Sequence, residues 1–310
     1  MRTLRPKLLL AFALSLSCAL WGCRSNTEST RSKPLIVATT SILADGIQQL
    51  VGDQAKVVSL MPPGVDPHLY KASVRDLDLL TQADLVVYHG LYLEGKMTEI
   101  FEKLALSQPL IDVSKGIPQE KLIRSGPEAH SVDPHVWFDI SLWSAALAYA
   151  SEELQLWQPT WKPALQQNTT TYLQQLEALD QRTRTQVTEL VRNKQVLVTA
   201  HDAFAYFGKA YGMPVYSLQG LSTLSEPGLR DLTTLIQVIQ TYHVKAIFAE
   251  QTISPKALQA VARGAAEKNQ VVKLAGPLYT DSLDAANTPA GTYLGMFEAN
   301  LTLIYTQLLP

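Results

Sequence analysis

The chain has 310 residues, 46% of them hydrophobic and 17% charged, with 26 Lys and Arg against 28 Asp and Glu. A balance this close to neutral, and slightly acidic, argues against a nucleic-acid or polyanion partner. The two cysteines, Cys18 and Cys23, both lie near the start, so the body that follows has neither disulfide nor thiolate, and any metal site in it must be built from nitrogen and oxygen.

The N-terminal stretch reads as an export signal. Arg2, Arg5 and Lys7 precede the uncharged run LLLAFALSLSCALWG, which is too short for a good membrane span. Leu20-Trp21-Gly22-Cys23 resembles a lipobox, with Leu three residues before the cysteine and a small residue just before it. Ser15-Leu16-Ser17-Cys18 fits less well. Residues 1–22 are therefore expected to be a signal peptide, and Cys23 to become the lipidated N-terminus; a plain secreted protein is the alternative. The segment that follows, RSNTESTRSK, has nothing to bury, so residues 23–33 read as a polar tether that holds the body at a membrane surface. The processed chain of 288 residues keeps 23 of the 26 basic groups, for a net charge of −5 with His neutral.

Beyond the tether, short apolar runs alternate with helical patterns. PLIVATT (34–40), KVVSLMP (56–62), DLVVYHG (84–90) and LIDVS (110–114) read as strands. Residues 139–193 show almost no strand signal. DISLWSAALAYASEELQLW reads as one helix, and a second helical pattern runs from about 162 to 192, roughly 45 Å at the α-helical rise. The strand rhythm then returns in QVLVTA (195–200), PVYSLQ (214–219), KAIFAE (245–250) and QVVKLAG (270–276). Strands alternating with helices imply mainly parallel sheets with crossover helices. The expected organisation is a first α/β lobe over 34–160, a connecting helix over 161–193 and a second α/β lobe over 194–310.

In open α/β sheets, ligands bind beyond the carboxyl ends of the strands. His68 and His135 both end the tetrapeptide Val-Asp-Pro-His, written twice in a chain that has six histidines. His68 follows the strand KVVSLMP, and His135 lies in a loop leading into a helix. His201 comes directly after QVLVTA, and Asp281 soon after VVKLAG. Four potential ligands thus come from four loops, two from each half. Neutral imidazole with carboxylate suits zinc, and also manganese where the carboxylate binds through both oxygens. Proline before each of the first two histidines fixes φ and aims the ring. Asp284 and Asp202 compete with Asp281 for the acidic position on composition alone.

The pieces VDPHLY, VDPHVWFD, TAHDAFAYFGKAYGM, AIFAEQTISPKAL and LYTDSL followed by GTYLGM, in this order, resemble the zinc- and manganese-binding lipoproteins of ABC importers, the TroA-like group. The resemblance covers about 34–310. It implies two (β/α) lobes bridged by one long backbone helix, with the metal between them, and it carries the ligand roles to His68, His135, His201 and Asp281. It also points to Glu250, at the end of AIFAE, as a residue that supports a ligand or occasionally binds. Zinc-type members often carry a long His- and acid-rich loop before the second histidine. Here that segment has only His130, so Zn2+ and Mn2+ both remain open as cargo. The implied partners are an ABC permease with its separate ATPase, the implied location is the periplasm or the outer face of the cell membrane, and the expected state is a monomer. Ligand imidazoles must be deprotonated, so affinity is expected to fall as pH drops through about 6.5.

Three other functions compete for the same residues. Gly90-Leu-Tyr-Leu-Glu-Gly-Lys-Met97 nearly spells a phosphate-binding loop, but Met97 replaces the Mg2+-binding hydroxyl and Glu94 would repel phosphate. A zinc hydrolase could use three histidines with Glu250 as base, although there is no His-Glu-x-x-His pair and four protein ligands leave no open position. A surface adhesin is the third. His89, His130 and His243 read as surface or packing residues.

Overall fold

The computed structural model describes residues 33–125 and 131–309; the leader, Cys23, most of the tether and His130 lie outside them. Strands β1 (Leu35–Ala38), β2 (Lys56–Ser59), β3 (Leu85–Tyr88) and β4 (Leu110–Asp112) form a sheet in the order β2-β1-β3-β4, parallel throughout. Ile36, Val37 and Ala38 are fully buried, as in a parallel strand covered on both faces. Helices α1 (Ser41–Val51), α2 (Val74–Gln82) and α3 (Thr98–Leu104) lie between successive strands. Their starts are set locally: Thr40 accepts the Leu43 N–H ahead of α1, and Ser73 with Asp76 forms a capping box on α2. A small antiparallel pair, β5 (Arg124–Ser125) with β6 (Ser131–Val132), was not anticipated, because two-residue strands carry no readable period.

Two helices then replace strands, as the pattern predicts. The first, α4 (Ile140–Trp157), is capped by Asp139, whose carboxylate accepts from Ser141 N and Leu142 N. The second, α5 (Lys162–Arg192), has 31 residues, with Pro163 in its first turn, where the missing N–H costs nothing. Five threonines within it send their hydroxyls to the carbonyl four residues back. Its buried stripe runs Leu165, Tyr172, Leu176, Leu179, Thr183, Val187, Leu190 at helical spacing.

In the second half, β7 (Leu197–Thr199) pairs in parallel with β8 (Val215–Ser217), β9 (Ala246–Glu250) pairs in parallel with β10 (Lys273–Leu278), and β7 lies alongside β9. Helices α6 (Ala205–Tyr211), α7 (Leu229–Tyr242), α8 (Lys256–Glu267) and α9 (Tyr293–Leu308) complete it. The register of β10 shifts between Ala275 and Leu278. Gly276 sits at that step with φ +116°, and a Cβ there would meet Ala249 O at 2.7 Å, so glycine is required.

The two lobes share an interior. One cluster runs from Ile36 in β1 to Leu308 in α9, and α5 packs on α1 and α4 of the first half and on α6 and α9 of the second. Phe138 stacks on Phe204 at 4.2 Å across the junction. Smaller clusters belong to each half alone, one around Val37, Leu80 and Phe101 and one around Val198, Ile239 and Val261. Among the described residues, no helix is long and apolar enough to cross a membrane.

Candidate metal centre

His68 lies in the connection from β2 to α2, where the Asp66 carboxylate accepts its backbone N–H at 2.8 Å. His135 opens a short helical turn ahead of α4. There Asp133 Oδ1 accepts both the His135 backbone N–H, at 2.9 Å, and its Nδ1, at 2.8 Å. His201 follows β7, and Glu250 ends β9 beside it. Glu250 Oε1 accepts the Ala200 and His201 backbone N–H groups at 2.7 and 3.0 Å, while Oε2 accepts from His201 Nδ1. Asp281 follows β10. Each donor therefore comes from a connection anchored by a strand end or a helix start.

These four side chains converge. His135 Nε2 is 3.2 Å from His68 Nε2 and 3.3 Å from His201 Nε2. The Asp281 oxygens lie 3.5 Å from His135 Nε2 and 3.4 Å from His201 Nε2. All four donors fall within 4.8 Å of one another. A tetrahedral ion with bonds of about 2.0–2.2 Å has ligand-to-ligand edges of about 3.3–3.6 Å. The four edges through His135 and His201 are close to that spacing, the two from Asp281 running from different oxygens, and the whole set spans at most 4.8 Å. The donors are also dry: His68 is 6% exposed, His135 and His201 0%, Asp281 1%.

Charge is arranged to receive a cation. Burial alone would raise Asp281, but the imidazoles of His201 and His135 override it and hold the carboxyl well below its ordinary range. Neither Asp281 oxygen has a hydrogen-bond partner among the described residues. Burial pulls down on His135, yet Asp133 and then Asp281 lift it to about 9. His201 is likewise carried well above its usual value against burial, by Glu250 and Asp281. His68 differs: burial, aided by its two imidazole neighbours, depresses it to about 3 despite Asp281. Asp133 and Glu250 also fix the tautomers. Each occupies Nδ1 and leaves Nε2 facing the common centre.

The other sequence candidates fall elsewhere. Asp284 bonds the Tyr279 hydroxyl and Ala285 N, and the Asp202 backbone bonds Gly220 O. His89 is buried against Trp137 and Trp143 and bonds Thr40, and His243 caps α7 at the surface. In the near-phosphate loop, Glu94 is buried and accepts from Thr39 Oγ1 and His89 N. Burial pushes its carboxyl up to about 7. Gly90 there has φ +78°, and a Cβ would meet Asp112 Oδ1 at 2.2 Å, so the glycine serves a tight turn. Asp133 was missed as a ring partner. The motif offers a carboxylate that can accept the backbone N–H two residues on, but it does not give the ring contact, since Asp66 in the other copy makes only the first of the two.

Known proteins provide an independent line. The family described as "ZnuA: Zinc-uptake complex component A periplasmic" matches residues 36–307. The manganese-binding lipoprotein MntA of Bacillus subtilis (strain 168) is 42% identical over 298 residues, covering 96% of this chain and 97% of its own. The metal ABC transporter substrate-binding lipoprotein FimA of Streptococcus parasanguinis is 28% identical over 302 residues, 95% of this chain and 96% of that protein. The structure of the periplasmic zinc-binding protein TroA from Treponema pallidum superimposes with a TM-score of 0.86 at 39% identity, covering 90% of this chain and 100% of that one.

Proposed function

The chain belongs to the ZnuA family, and on that premise we propose that it is an extracytoplasmic lipoprotein that captures a divalent transition metal, zinc or manganese, for an ABC importer. His68, His135, His201 and Asp281 are its ligands, and Glu250 holds His201 from behind. Anchored through Cys23, the protein acts as a monomer at the periplasmic or outer face of the membrane. It passes the ion to a membrane permease driven by a separate ATPase.

The observation that carries this reading is the convergence of four buried donors from both lobes within 4.8 Å of one another, with 3.2–3.5 Å between His135 or His201 and their neighbours. Four protein donors fill a tetrahedral sphere, which suits cargo and leaves no position for a hydrolytic water. Glu250 is also unsuited to act as a base, because its carboxylate already accepts two backbone N–H groups and the His201 ring. By the Irving–Williams order, zinc outcompetes manganese in vitro whichever ion is the cargo.

The test is elemental analysis of the protein purified from its native compartment, beside an Asp281→Ala variant. Close to one zinc or manganese per chain, bound much more weakly by the variant and with no hydrolytic activity in either, is the expected result. Full affinity without Asp281 would mean an open three-histidine site and would reinstate the hydrolase.

A further inference from the structure

The three imidazoles are held unequally. Asp133 grips the ring of His135 and Glu250 that of His201, but among the described residues no carboxylate holds the ring of His68. Its Asp66 is the counterpart of Asp133 in the repeated Val-Asp-Pro-His, and it is spent differently. Oδ1 takes the His68 backbone N–H, and Oδ2 accepts the hydroxyl of Thr223 at 2.6 Å. Thr223 stands in the connection from β8 to α7, on the opposite lobe. The same arm has a second tie across the junction, from Gly64 N–H to Ser282 Oγ at 2.7 Å, next door to Asp281.

His68 is also the donor that meets open space. A cavity of about 670 Å3 is lined by His68 and by Leu221, Ser222 and Leu224, which flank Thr223; His135, His201 and Asp281 do not line it. An ion leaving the centre toward this cavity passes His68, and what keeps His68 in place is its backbone turn. That turn depends on Asp66, and Asp66 is tied to the far lobe through one hydroxyl.

We propose that Thr223 is a positioning residue for metal retention: its hydroxyl clips Asp66, and through it the His68 arm, across the two lobes, so that the ion escapes into the cavity when this clip opens. The inference rests on the metal-binding reading above. It makes His68 the donor that yields, with His135 and His201 remaining fixed.

The experiment compares Thr223→Val, which keeps the shape and removes the hydroxyl, with Thr223→Ser, which keeps the hydroxyl. In the full chain loaded with zinc, dissociation into excess chelator is followed by stopped flow. In the metal-free chain, amide hydrogen exchange is measured over 64–70. A clip on a carboxylate should be worth about tenfold in dissociation rate. Thr223→Val is expected to release zinc about tenfold faster at unchanged stoichiometry and to expose the 64–70 amides, with α1 and α9 unaffected. Thr223→Ser should stay close to the parent in both. Parent-like release and exchange in Thr223→Val would overturn the proposal, as would Thr223→Ser behaving like Thr223→Val, since packing and not the hydroxyl would then matter. If the parent chain bound no metal, the metal reading would fall, while the exchange arm would still decide whether the clip exists.

Discussion

Glu250→Gln isolates the support behind His201 with the smallest possible change of shape. The carboxylate accepts three N–H groups, from Ala200 N and His201 N on Oε1 and from His201 Nδ1 on Oε2. Glutamine has one oxygen and one NH2 for these two ends. If the oxygen stays on the backbone pair, the NH2 faces His201 Nδ1 and forces the ring proton onto Nε2, where the ion must bind. If the amide turns over, the NH2 faces two backbone donors, and both lose their acceptor. Ala200 is 4% exposed and His201 0%, so water does not replace the lost bonds. An unsatisfied buried donor costs about 1–3 kcal/mol. Either arrangement should therefore weaken metal binding by about 10- to 100-fold, the range found when a ligand histidine loses its outer partner. Chelator competition with zinc, and separately with manganese, measures this directly, with circular dichroism to confirm an unaltered fold. Binding within twofold of the parent would refute the reasoning, since His201 would then need no oriented tautomer.

Proton release is the second expectation. In the metal-free centre His135 titrates at about 9 and His201 well above its usual value, while His68 lies near 3. At pH 7.5 His135 carries a proton that an ion must displace, and His201 is shifted in the same direction, so at least one proton should leave per ion, read in weak buffer with an indicator dye. Affinity should accordingly climb with pH across 6 to 8 and level off only above about 9. That window is higher than the 6.5 expected from an unperturbed imidazole, because Asp133, Glu250 and Asp281 favour the charged rings. Metal should also stabilise the fold: at 100 times Kd, urea unfolding should cost about 2.7 kcal/mol more, and Asp281→Ala should lose most of that gain. Leu176→Ala, at a fully buried position in the middle of α5, should cost about 2–5 kcal/mol in the metal-free chain by urea titration.

What the sequence displayed was local. Strands such as β1 and β9 declared themselves by apolar, β-branched runs, and α5 by its long helical pattern with no breaker after Pro163. The three histidines stood out by position, each in a connection beyond a strand or ahead of a helix. The acidic member of the cluster did not, because Asp202, Asp281 and Asp284 are equivalent until β10 is laid against β9. The contacts of Glu250 were hidden for a related reason. Its partners lie 49 and 50 residues away, and what joins them is the contact of β7 with β9, a fact of tertiary structure that no spacing encodes. The two copies of Val-Asp-Pro-His make the same point. Each Asp accepts the N–H of its own His, which the tetrapeptide dictates. Asp133, fully buried, then turns to its own imidazole, whereas Asp66, half-buried, reaches Thr223 in the other lobe.

That divergence bears on how a tight site can give up its ion. Swinging whole lobes apart would separate Phe138 from Phe204 and open a core that runs without a break from Ile36 to Leu308. Each large apolar side chain uncovered costs about 1.5–3 kcal/mol, and α5 packs on helices of both halves along its whole stripe. His135 and His201 are embedded in that same interior, each with a carboxylate fixing its ring. The His68 arm is different in kind. It spans 60–73 without regular structure, it borders the cavity, and its ties to the far lobe are Thr223 to Asp66 and Gly64 to Ser282. Breaking two hydrogen bonds costs far less than opening a shared core, since each is worth about 1 kcal/mol net, or up to about 3 where a charge is involved. On the reading proposed above, capture and release divide between two structural materials: an interior in which Asp133 and Glu250 hold the rings of His135 and His201, and one lightly fastened arm that brings His68 to them and can leave.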